Sequence, residues 1–177
     1  MAGWEGSAET VHLSSSPRAA VTELFHQHYR RLVGLAGLMV DDRETAEEVV
    51  QDSFEALYRH WTRLRDPQAA VGYLNRSVVN GARSKVRRQV TARSFRPPEA
   101  GVEPSAESGG MATTRRHDLV AAVHLLPRRQ REVVVLRYFL DLSEIEIADW
   151  LGVSTGSVKR HASRANDSLR KRMEAWA

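Results

Sequence analysis

The chain of 177 residues contains no cysteine, and its apolar runs are short. The missing cysteine excludes a disulfide framework, a zinc site with thiolate ligands and a cysteine nucleophile. No stretch approaches the roughly 20 apolar residues of a membrane-spanning helix. The N-terminal segment lacks the basic start and apolar centre of a secretory signal. We therefore expect a cytoplasmic protein with no membrane insertion.

Catalytic motifs are also missing. His26 and His28 are the only closely spaced histidines, and an i, i+2 pair lies about 200° apart around a helix. The sequence has no HExxH motif, no glycine-rich phosphate loop and no nucleophile elbow. An enzyme is one class of function to weigh, but these absences argue against it. We expect no metal, no cofactor and no small-molecule substrate.

Positive charge is modest in total but clustered along the chain. There are 26 Lys and Arg against 22 Asp and Glu, and the sequence pI is about 9.8. The basic residues concentrate at 83–93 and again at 159–172. Such clusters are typical of surfaces that bind nucleic acid.

The strongest local pattern predicts a helix-turn-helix over residues 143–164. Ser143 and Glu146 have the spacing of a capping box at the start of a short helix. Gly152 stands where a helix end favours positive φ, and Ser154 is placed to cap a second helix after a tight turn. Two helices joined this closely meet at a steep angle, as in DNA-binding motifs.

The second helix of this motif has two distinct faces. Its apolar side chains, spaced by four, three and four residues, predict a buried stripe of Val158, Ala162, Ala165 and Leu169. The outward side chains are short and polar first and then cationic, which suits base edges followed by phosphates. They are Thr155, Ser157, Lys159, Arg160, Ser163 and Arg164. A helical hairpin with an ordinary solvated basic face is the alternative interpretation.

Residues 94–114 predict a flexible linker between two domains. The segment is rich in proline and glycine and has almost no large apolar side chain, so it cannot bury enough surface to order itself. Its net charge is −2, from one basic residue against three acidic ones. They are Arg96 against Glu99, Glu103 and Glu107.

Before the linker, three helical patterns predict an all-α domain. The first helix ends before Asp41, the second covers 45–61, and the third covers about 70–89. The apolar stripe of the first helix is Phe25, Tyr29, Leu32, Ala36 and Met39. That of the second is Val50, Phe54, Leu57 and Trp61, and that of the third is Val71, Leu74, Val78, Ala82 and Val86.

The outer faces of the second and third helices carry opposite charge. The second presents an acidic stripe of Glu48, Gln51, Asp52 and Glu55. The third presents a cationic track of Arg76, Asn80, Arg83 and Arg87 within a narrow arc. Solvated faces usually mix signs, so two faces of single sign indicate two binding surfaces.

The residues at this point resemble a known family. The segments TAEEVVQDSFEALYRHW (45–61), YLNRSVVNGARSKVRR (73–88), LPRRQREVVVLRY (126–138) and LSEIEIADWLGVSTGSVKRHASRA (142–165) are similar to bacterial sigma-70-family factors of the two-domain, extracytoplasmic-function type. The resemblance covers about 19–173. It implies an N-terminal tail (1–18), a domain 2 (19–93), the linker (94–114) and a domain 4 (115–177).

The resemblance implies a sigma factor that binds core RNA polymerase, recognises minus-35 and minus-10 promoter elements, and promotes DNA melting. The acidic stripe then contacts the β′ clamp helices, and domain 4 contacts the β flap. The minus-10 element is read and a base flipped out by Leu64, Arg65, Asp66, Tyr73, Arg76, Asn80, Arg83, Arg87 and Arg88. The minus-35 element is read by Thr155, Gly156, Ser157, Lys159, Arg160, Ser163 and Arg164.

Two residues depart from the family pattern. Tyr73 stands where tryptophan is common, and Ser84 replaces the usual acid. Tyr73 keeps an aromatic face for stacking, although a smaller one. Any contact that needs a carboxylate at position 84 is lost.

The linker length fits two promoter elements. Elements about 17 base pairs apart are separated by about 58 Å, and the 24 residues from Thr91 to Thr114 reach about 80 Å when fully extended. In the family such linkers pass through the RNA exit path, and the acidic linker is predicted to take the place of RNA there. Anti-sigma factors control many relatives, but no residue of this chain identifies one.

A stand-alone helix-turn-helix regulator is the alternative function. It would need residues 19–93 as a dimerising or ligand-sensing domain, and the acidic helix could serve that purpose. The cationic track around Asn80 would then have no explanation.

Overall fold

The fold is all-α, as the sequence predicts. A computed structural model describes residues 16–64, 69–93 and 111–174, and in this part of the chain every regular element is helical. The seven α-helices are α1 (Pro17–Gly37), α2 (Arg43–His60), α3 (Ala70–Arg93), α4 (Met111–His124), α5 (Arg128–Tyr138), α6 (Glu144–Leu151) and α7 (Thr155–Glu174). A short 3-10 turn, Trp61–Arg63, follows α2.

Helices α1 to α3 form a first bundle, and their apolar stripes lie inside it. Pro17 opens α1, where its missing N–H costs no hydrogen bond. Asp42 caps α2, because its carboxylate accepts from the Thr45 backbone N–H at 2.7 Å. Val50, Phe54 and Leu57 are buried on the predicted face of α2. The three predicted helices are therefore confirmed.

Several helix boundaries differ from the sequence prediction. Helix α1 begins at Pro17, two residues before the predicted domain start, and α3 continues to Arg93. Helix α4 begins at Met111, so the last four residues of the predicted linker are helical. Methionine and alanine are strong helix formers, and no proline or glycine follows Gly110 in this stretch. The other predicted linker residues, 94–110, lie outside the described part of the chain.

Helices α4 to α7 form a second bundle that contains the predicted helix-turn-helix. Ser143 and Glu146 close the capping box at the start of α6. Gly152 ends α6 with φ of 65°, a left-handed conformation in which a Cβ would be strained. Ser154 then caps α7, since its hydroxyl accepts from the Ser157 backbone N–H at 3.2 Å. The capping and turn predictions for this motif are confirmed.

The two bundles pack against each other. One apolar cluster includes Leu24 and Leu35 of the first bundle together with Leu136 and Ile147 of the second. A smaller cluster within the second bundle contains Leu126, Val134 and Ala165. None of the described helices is long and apolar enough to cross a membrane. The sequence predicted two domains joined by a linker, but it did not predict that they share a core.

Candidate functional site

The acidic stripe on α2 is fully accessible. Glu48, Gln51, Asp52 and Glu55 are all exposed, as predicted. Lys85 of α3 forms an ion pair with Glu48, which neutralises one end of the stripe. Within the part of the chain that the structure describes, Asp52 and Glu55 have no ion-pair partner and carry the free negative charge of the stripe.

Tyr58 adds an aromatic side chain to the same side of α2. It lies one turn beyond Glu55 and is 52% exposed. Exposed aromatic residues beside charged ones are enriched in protein interfaces. The sequence interpretation missed Tyr58, although its i, i+3 spacing from Glu55 was available as a signal.

The cationic track on α3 is only partly accessible. Arg76, Asn80 and Arg87 are exposed, as is Arg88, whereas the Arg83 side chain is only 20% exposed. The cationic track is therefore covered at Arg83, while its other members are exposed.

The predicted minus-10 residues that precede this track in the sequence are half-buried or lie outside the described part of the chain. Tyr73 is half-buried and packs against the shared apolar cluster. Leu64 is half-buried and extended, and it follows the short 3-10 turn. Arg65 and Asp66 lie outside the described residues.

Arg83 is covered by the end of helix α6. Its guanidinium donates to the backbone carbonyl oxygens of Trp150 at 3.0 Å and Leu151 at 3.2 Å. These carbonyls belong to the last turn of α6, where the helix dipole places partial negative charge. Arg83 therefore caps a helix of the second bundle.

Arg76 also contacts helix α6. Its guanidinium donates to the Asp149 carboxylate at 3.0 Å. It also lies over the Trp150 ring, with Cζ 5.5 Å from the ring centroid. Both partners of this ion pair are more than half exposed, so the charge interaction is weak. Arg76 and Arg83 together hold α6 against α3.

Glu132 of α5 is a buried carboxylate surrounded by three arginines. Its side chain is 4% exposed, and it contacts Arg128 at 3.0 Å, Arg129 at 2.9 Å and Arg83 at 3.6 Å. The 3.6 Å separation is within ion-pair range but too long for a hydrogen bond. Burial lowers the pKa of Arg83, and the Glu132 carboxylate opposes that shift. The sequence did not predict that Glu132 is buried, because a run of charged residues at the start of a helix is usually exposed to solvent.

A second set of contacts joins α1 and the loop that follows it to the second bundle. Arg131 donates to the Asp41 carboxylate at 3.2 Å and to the backbone oxygen of His124. Burial lowers the pKa of His124, and the nearby Arg131 lowers it further. Arg31 lies over the Phe139 ring, with Cζ 5.4 Å from its centroid. Charged groups therefore bridge the bundles on two sides of the apolar contact.

The outer face of α7 points to solvent. Val158 and Ala165 are buried, and Ala162 and Leu169 are half-buried, which confirms the predicted stripe. Ser157 is half-buried beside Ser154. The other predicted minus-35 residues are exposed: Thr155, Gly156, Lys159, Arg160, Ser163 and Arg164.

Lys159 is only loosely engaged within the second bundle. It lies 3.7 Å from the Glu144 carboxylate and stays 68% exposed. The accessible face of α7 thus has the polar and cationic character of a DNA-binding surface.

A groove of about 210 Å³ lies between α2 and α3, next to Asp52 of the acidic stripe. At its floor α2 and α3 approach closely at Gly81, where a Cβ would lie 3.0 Å from Cγ1 of Val49. Asp52 and Arg88 both line it, as does Ser84. The groove therefore has both acidic and basic side chains in its lining.

Two family models match this chain. Residues 24–91 match the family described as sigma-70 region 2. Residues 116–167 match the family described as sigma-70, region 4. The first match covers α2 and most of α1 and α3, and the second covers most of the second bundle.

Curated relatives match over most of the chain. An RNA polymerase sigma-E factor of Streptomyces antibioticus is 32% identical over 138 residues, which are 77% of this chain and 74% of the relative. The ECF RNA polymerase sigma factor SigM of Mycobacterium tuberculosis is 32% identical over 152 residues, which are 86% of this chain and 76% of the relative.

Solved structures share the fold. The sigma factor RpoE, in complex with the anti-sigma factor NepR from Bartonella quintana, aligns with a TM-score of 0.64 at 21% identity, over 86% of this chain and 96% of that one. CnrH, in complex with the cytosolic domain of CnrY, aligns with a TM-score of 0.61 at 24% identity, over 93% and 94% of the two chains.

Proposed function

The chain belongs to the sigma-70 family, in its extracytoplasmic-function class, and we propose that its charged surfaces carry out three separate steps of promoter-directed initiation. As a sigma factor it directs RNA polymerase to promoters. The observation that carries this function is the presence of both family regions, in order, on one chain. A stand-alone regulator does not account for the region 2 match.

The first step is docking on core polymerase. We assign it to the exposed acidic stripe of Glu48, Gln51, Asp52 and Glu55, with the clamp helices of the β′ subunit as partner. Tyr58 extends the same surface with an aromatic anchor. The second bundle is assigned to the β flap.

The second step is capture and melting of the minus-10 element. We assign it to the α3 track, because an amide that both donates and accepts lies among arginines that neutralise phosphate. Asn80 is exposed beside Arg76 and Arg87, as an extruded base would require. Flipping a base costs a few kcal/mol, which stacking and phosphate contacts must offset. Leu64, Arg65, Asp66 and Tyr73 complete the proposed surface.

The third step is recognition of the minus-35 element by α7. Thr155, Gly156 and Ser157 lie at its N-terminal turn, where a recognition helix meets base edges. Arg160 and Arg164 follow one turn apart on the exposed face. Such a pair suits a bidentate guanine contact or a phosphate clamp.

The remaining assignments follow from the family. We propose that the chain acts in the cytoplasm, has no catalytic activity of its own and positions the active site of polymerase. One of its structural neighbours was solved with an anti-sigma factor, and another with the cytosolic domain of CnrY. We therefore include an anti-sigma factor among the proposed partners.

Runoff transcription with core polymerase on a randomised promoter library tests this function. The expected result is initiation from templates that share two sequence elements about 17 base pairs apart. Replacing Arg160 and Arg164 by Ala should remove selection at the upstream element only. Failure of the unmodified chain to direct initiation with any bacterial core polymerase would contradict the function.

A further inference from the structure

Glu144, the first residue of α6, connects three helices of the second bundle through its carboxylate. Oε1 lies 3.6 Å from Nη1 of Arg137 on α5, and Oε2 lies 3.7 Å from Nζ of Lys159 on α7. Both separations are within ion-pair range but too long for hydrogen bonds. One negative charge is therefore shared by two cations, and Lys159 belongs to the surface that the proposed function gives to the minus-35 element.

Lys159 differs in this respect from the other cations of that surface. Arg160 and Arg164 are exposed on the same helix, and within the described residues neither of them has an ion-pair partner. Lys159 is also exposed, but it lies beside a carboxylate. Its charge is thus partly neutralised before any DNA arrives.

The direction of the Glu144 side chain is not explained by stability. Its two partners, Arg137 and Lys159, are 41% and 68% exposed, and ion pairs this exposed contribute little to folding. A carboxylate in the first turn interacts favourably with the helix dipole whether or not it reaches a cation of α7. The contact with Lys159 therefore has its main effect on the outer surface of α7.

A carboxylate at this position weakens the attraction of Lys159 for phosphate. Non-specific binding to duplex DNA comes almost entirely from cations that neutralise phosphates. Glu144 cancels part of the charge of Lys159, and it repels a phosphate that approaches the same place. Binding of this surface to DNA of any sequence is therefore reduced.

A contact between Lys159 and a base edge is less affected. A lysine ammonium donates short hydrogen bonds to O6 and N7 of guanine, and these replace a weak pair that is 3.7 Å long. Glu144 thus lowers the affinity for phosphate alone more than the affinity for a correct base edge. Sequence specificity is the ratio of these two affinities.

We propose that Glu144 is a positioning residue of the minus-35 surface, which raises sequence specificity by restraining Lys159. Arg137 holds the Glu144 carboxylate from the α5 side. The proposal rests on the proposed function, because it deepens the assignment of α7 to the minus-35 element.

The salt dependence of binding to duplex DNA of random sequence tests the restraint. Glu144→Gln removes the charge and keeps the length of the side chain, whereas Glu144→Asp keeps the charge. Glu174→Gln is the matched control, since it removes one exposed carboxylate at the opposite end of α7 from Lys159. Fluorescence anisotropy of a labelled duplex measures the affinity of the full chain between about 50 and about 200 mM salt.

We expect Glu144→Gln to bind the duplex about fivefold more tightly at the lower salt concentration. The logarithmic salt dependence should steepen by about 0.9, which corresponds to one additional phosphate contact. Glu144→Asp and Glu174→Gln should both stay within about twofold of the unmodified chain. Equal salt dependences for Glu144→Gln and Glu174→Gln would overturn the proposal, and so would equal gains for Glu144→Gln and Glu144→Asp.

Two further variants test the same point while Glu144 stays in place. Lys159→Ala should weaken binding to the random duplex less than Arg160→Ala does, because the charge of Lys159 is already partly neutralised. In a Lys159→Ala background, Glu144→Gln should have no larger effect than Glu174→Gln, since the restrained cation is then missing. A loss from Lys159→Ala that equals or exceeds the loss from Arg160→Ala would contradict the restraint.

Selection by the holoenzyme measures specificity itself. Core polymerase with each variant is offered templates whose upstream element is randomised and whose downstream element is fixed. Glu144→Gln should reduce the enrichment of the preferred upstream element about fivefold, as phosphate-only binding rises, and Glu174→Gln should leave it unchanged. Unchanged enrichment with Glu144→Gln would overturn the proposal. If the unmodified chain enriches no upstream element, the proposed function has failed, and the salt dependence alone decides whether Glu144 restrains Lys159.

Discussion

Ser143 and Glu146 bind each other reciprocally at the first turn of α6. The backbone N–H of Ser143 donates to the Glu146 carboxylate at 2.8 Å, and the Glu146 backbone N–H donates to the Ser143 hydroxyl at 3.3 Å. The hydroxyl also donates to the same carboxylate at 2.6 Å. This exchange satisfies backbone donors that the helix itself leaves unpaired. It fixes where the helix-turn-helix begins.

Removal of the Ser143 hydroxyl should destabilise the second bundle. Ser143→Ala leaves the Glu146 backbone N–H without its acceptor, and we expect the free energy of unfolding to fall by about 1 kcal/mol. Urea denaturation followed by circular dichroism measures the change. Ser163→Ala, on the exposed middle of α7, is the control and should leave stability nearly unchanged. Equal effects of the two substitutions would show that the cap contributes nothing.

The capping box should also make stability depend on pH. The hydrogen bonds from the Ser143 hydroxyl and backbone lower the pKa of Glu146 below its usual 4.5. A carboxyl group whose pKa is lower in the folded state than in the unfolded state stabilises the fold at pH values above its unfolded pKa. This stabilisation is lost as the pH falls through the pKa of the folded state. The urea midpoint should therefore drop as the pH falls below about 4.5, more steeply in the native chain than in Glu146→Gln. Parallel pH profiles of the two proteins would contradict this.

Substitution by alanine should change the free energy of unfolding in opposite directions at Gly152 and Gly72. Gly152 has φ of 65°, whereas Gly72 lies within α3 with open space where a Cβ would be. Gly152→Ala should lower the free energy of unfolding by about 1 kcal/mol, and Gly72→Ala should raise it by up to about 1 kcal/mol. Urea denaturation of both variants measures the sign of each change in the free energy of unfolding. A stabilising Gly152→Ala would be inconsistent with the left-handed turn.

The elements that sequence predicted well are those set by local chemistry. Ser143, Gly152 and Ser154 act on neighbours within four residues, so their roles are readable from spacing. The apolar stripes of α2 and α7 follow in the same way from helical periodicity. Residue identities and short distances along the chain are sufficient for both.

The packing of the bundles depends on contacts that spacing does not encode. Glu132 stands among Arg128, Arg129 and Arg131, and such a stretch is usually solvated. Here it is buried, and one of its contacts is Arg83, which stands 49 positions earlier in the chain. The start of α4 at Met111 was missed for a different reason, since α4 has no clear apolar face to mark its first turn.

Neutralising the free part of the acidic stripe should weaken polymerase binding. Asp52→Asn with Glu55→Gln removes two exposed carboxylates, and we expect about tenfold weaker binding to core polymerase, or about 1.4 kcal/mol. The difference should shrink at high salt, because exposed charges are screened. Biolayer interferometry at two salt concentrations measures both effects. Asp167→Asn with Glu174→Gln removes equal charge from α7 and should bind normally; equal weakening would mean that net charge alone governs docking.

Substitution of Asn80, with Asn75 as the control, should distinguish base capture by α3 from phosphate positioning. Asn80 is exposed within the cationic track, whereas the Asn75 side chain accepts from Arg31 at 3.1 Å, away from it. Asn80→Ala should slow open-complex formation about tenfold, the loss of one well-placed hydrogen bond, and leave duplex binding within about twofold. Asn75→Ala should leave both unchanged. Permanganate reactivity of unpaired thymines measures melting, and electrophoretic mobility measures duplex binding. An equal loss in both assays would mean that Asn80 only positions phosphate, because a base-capturing amide acts after the duplex is already bound.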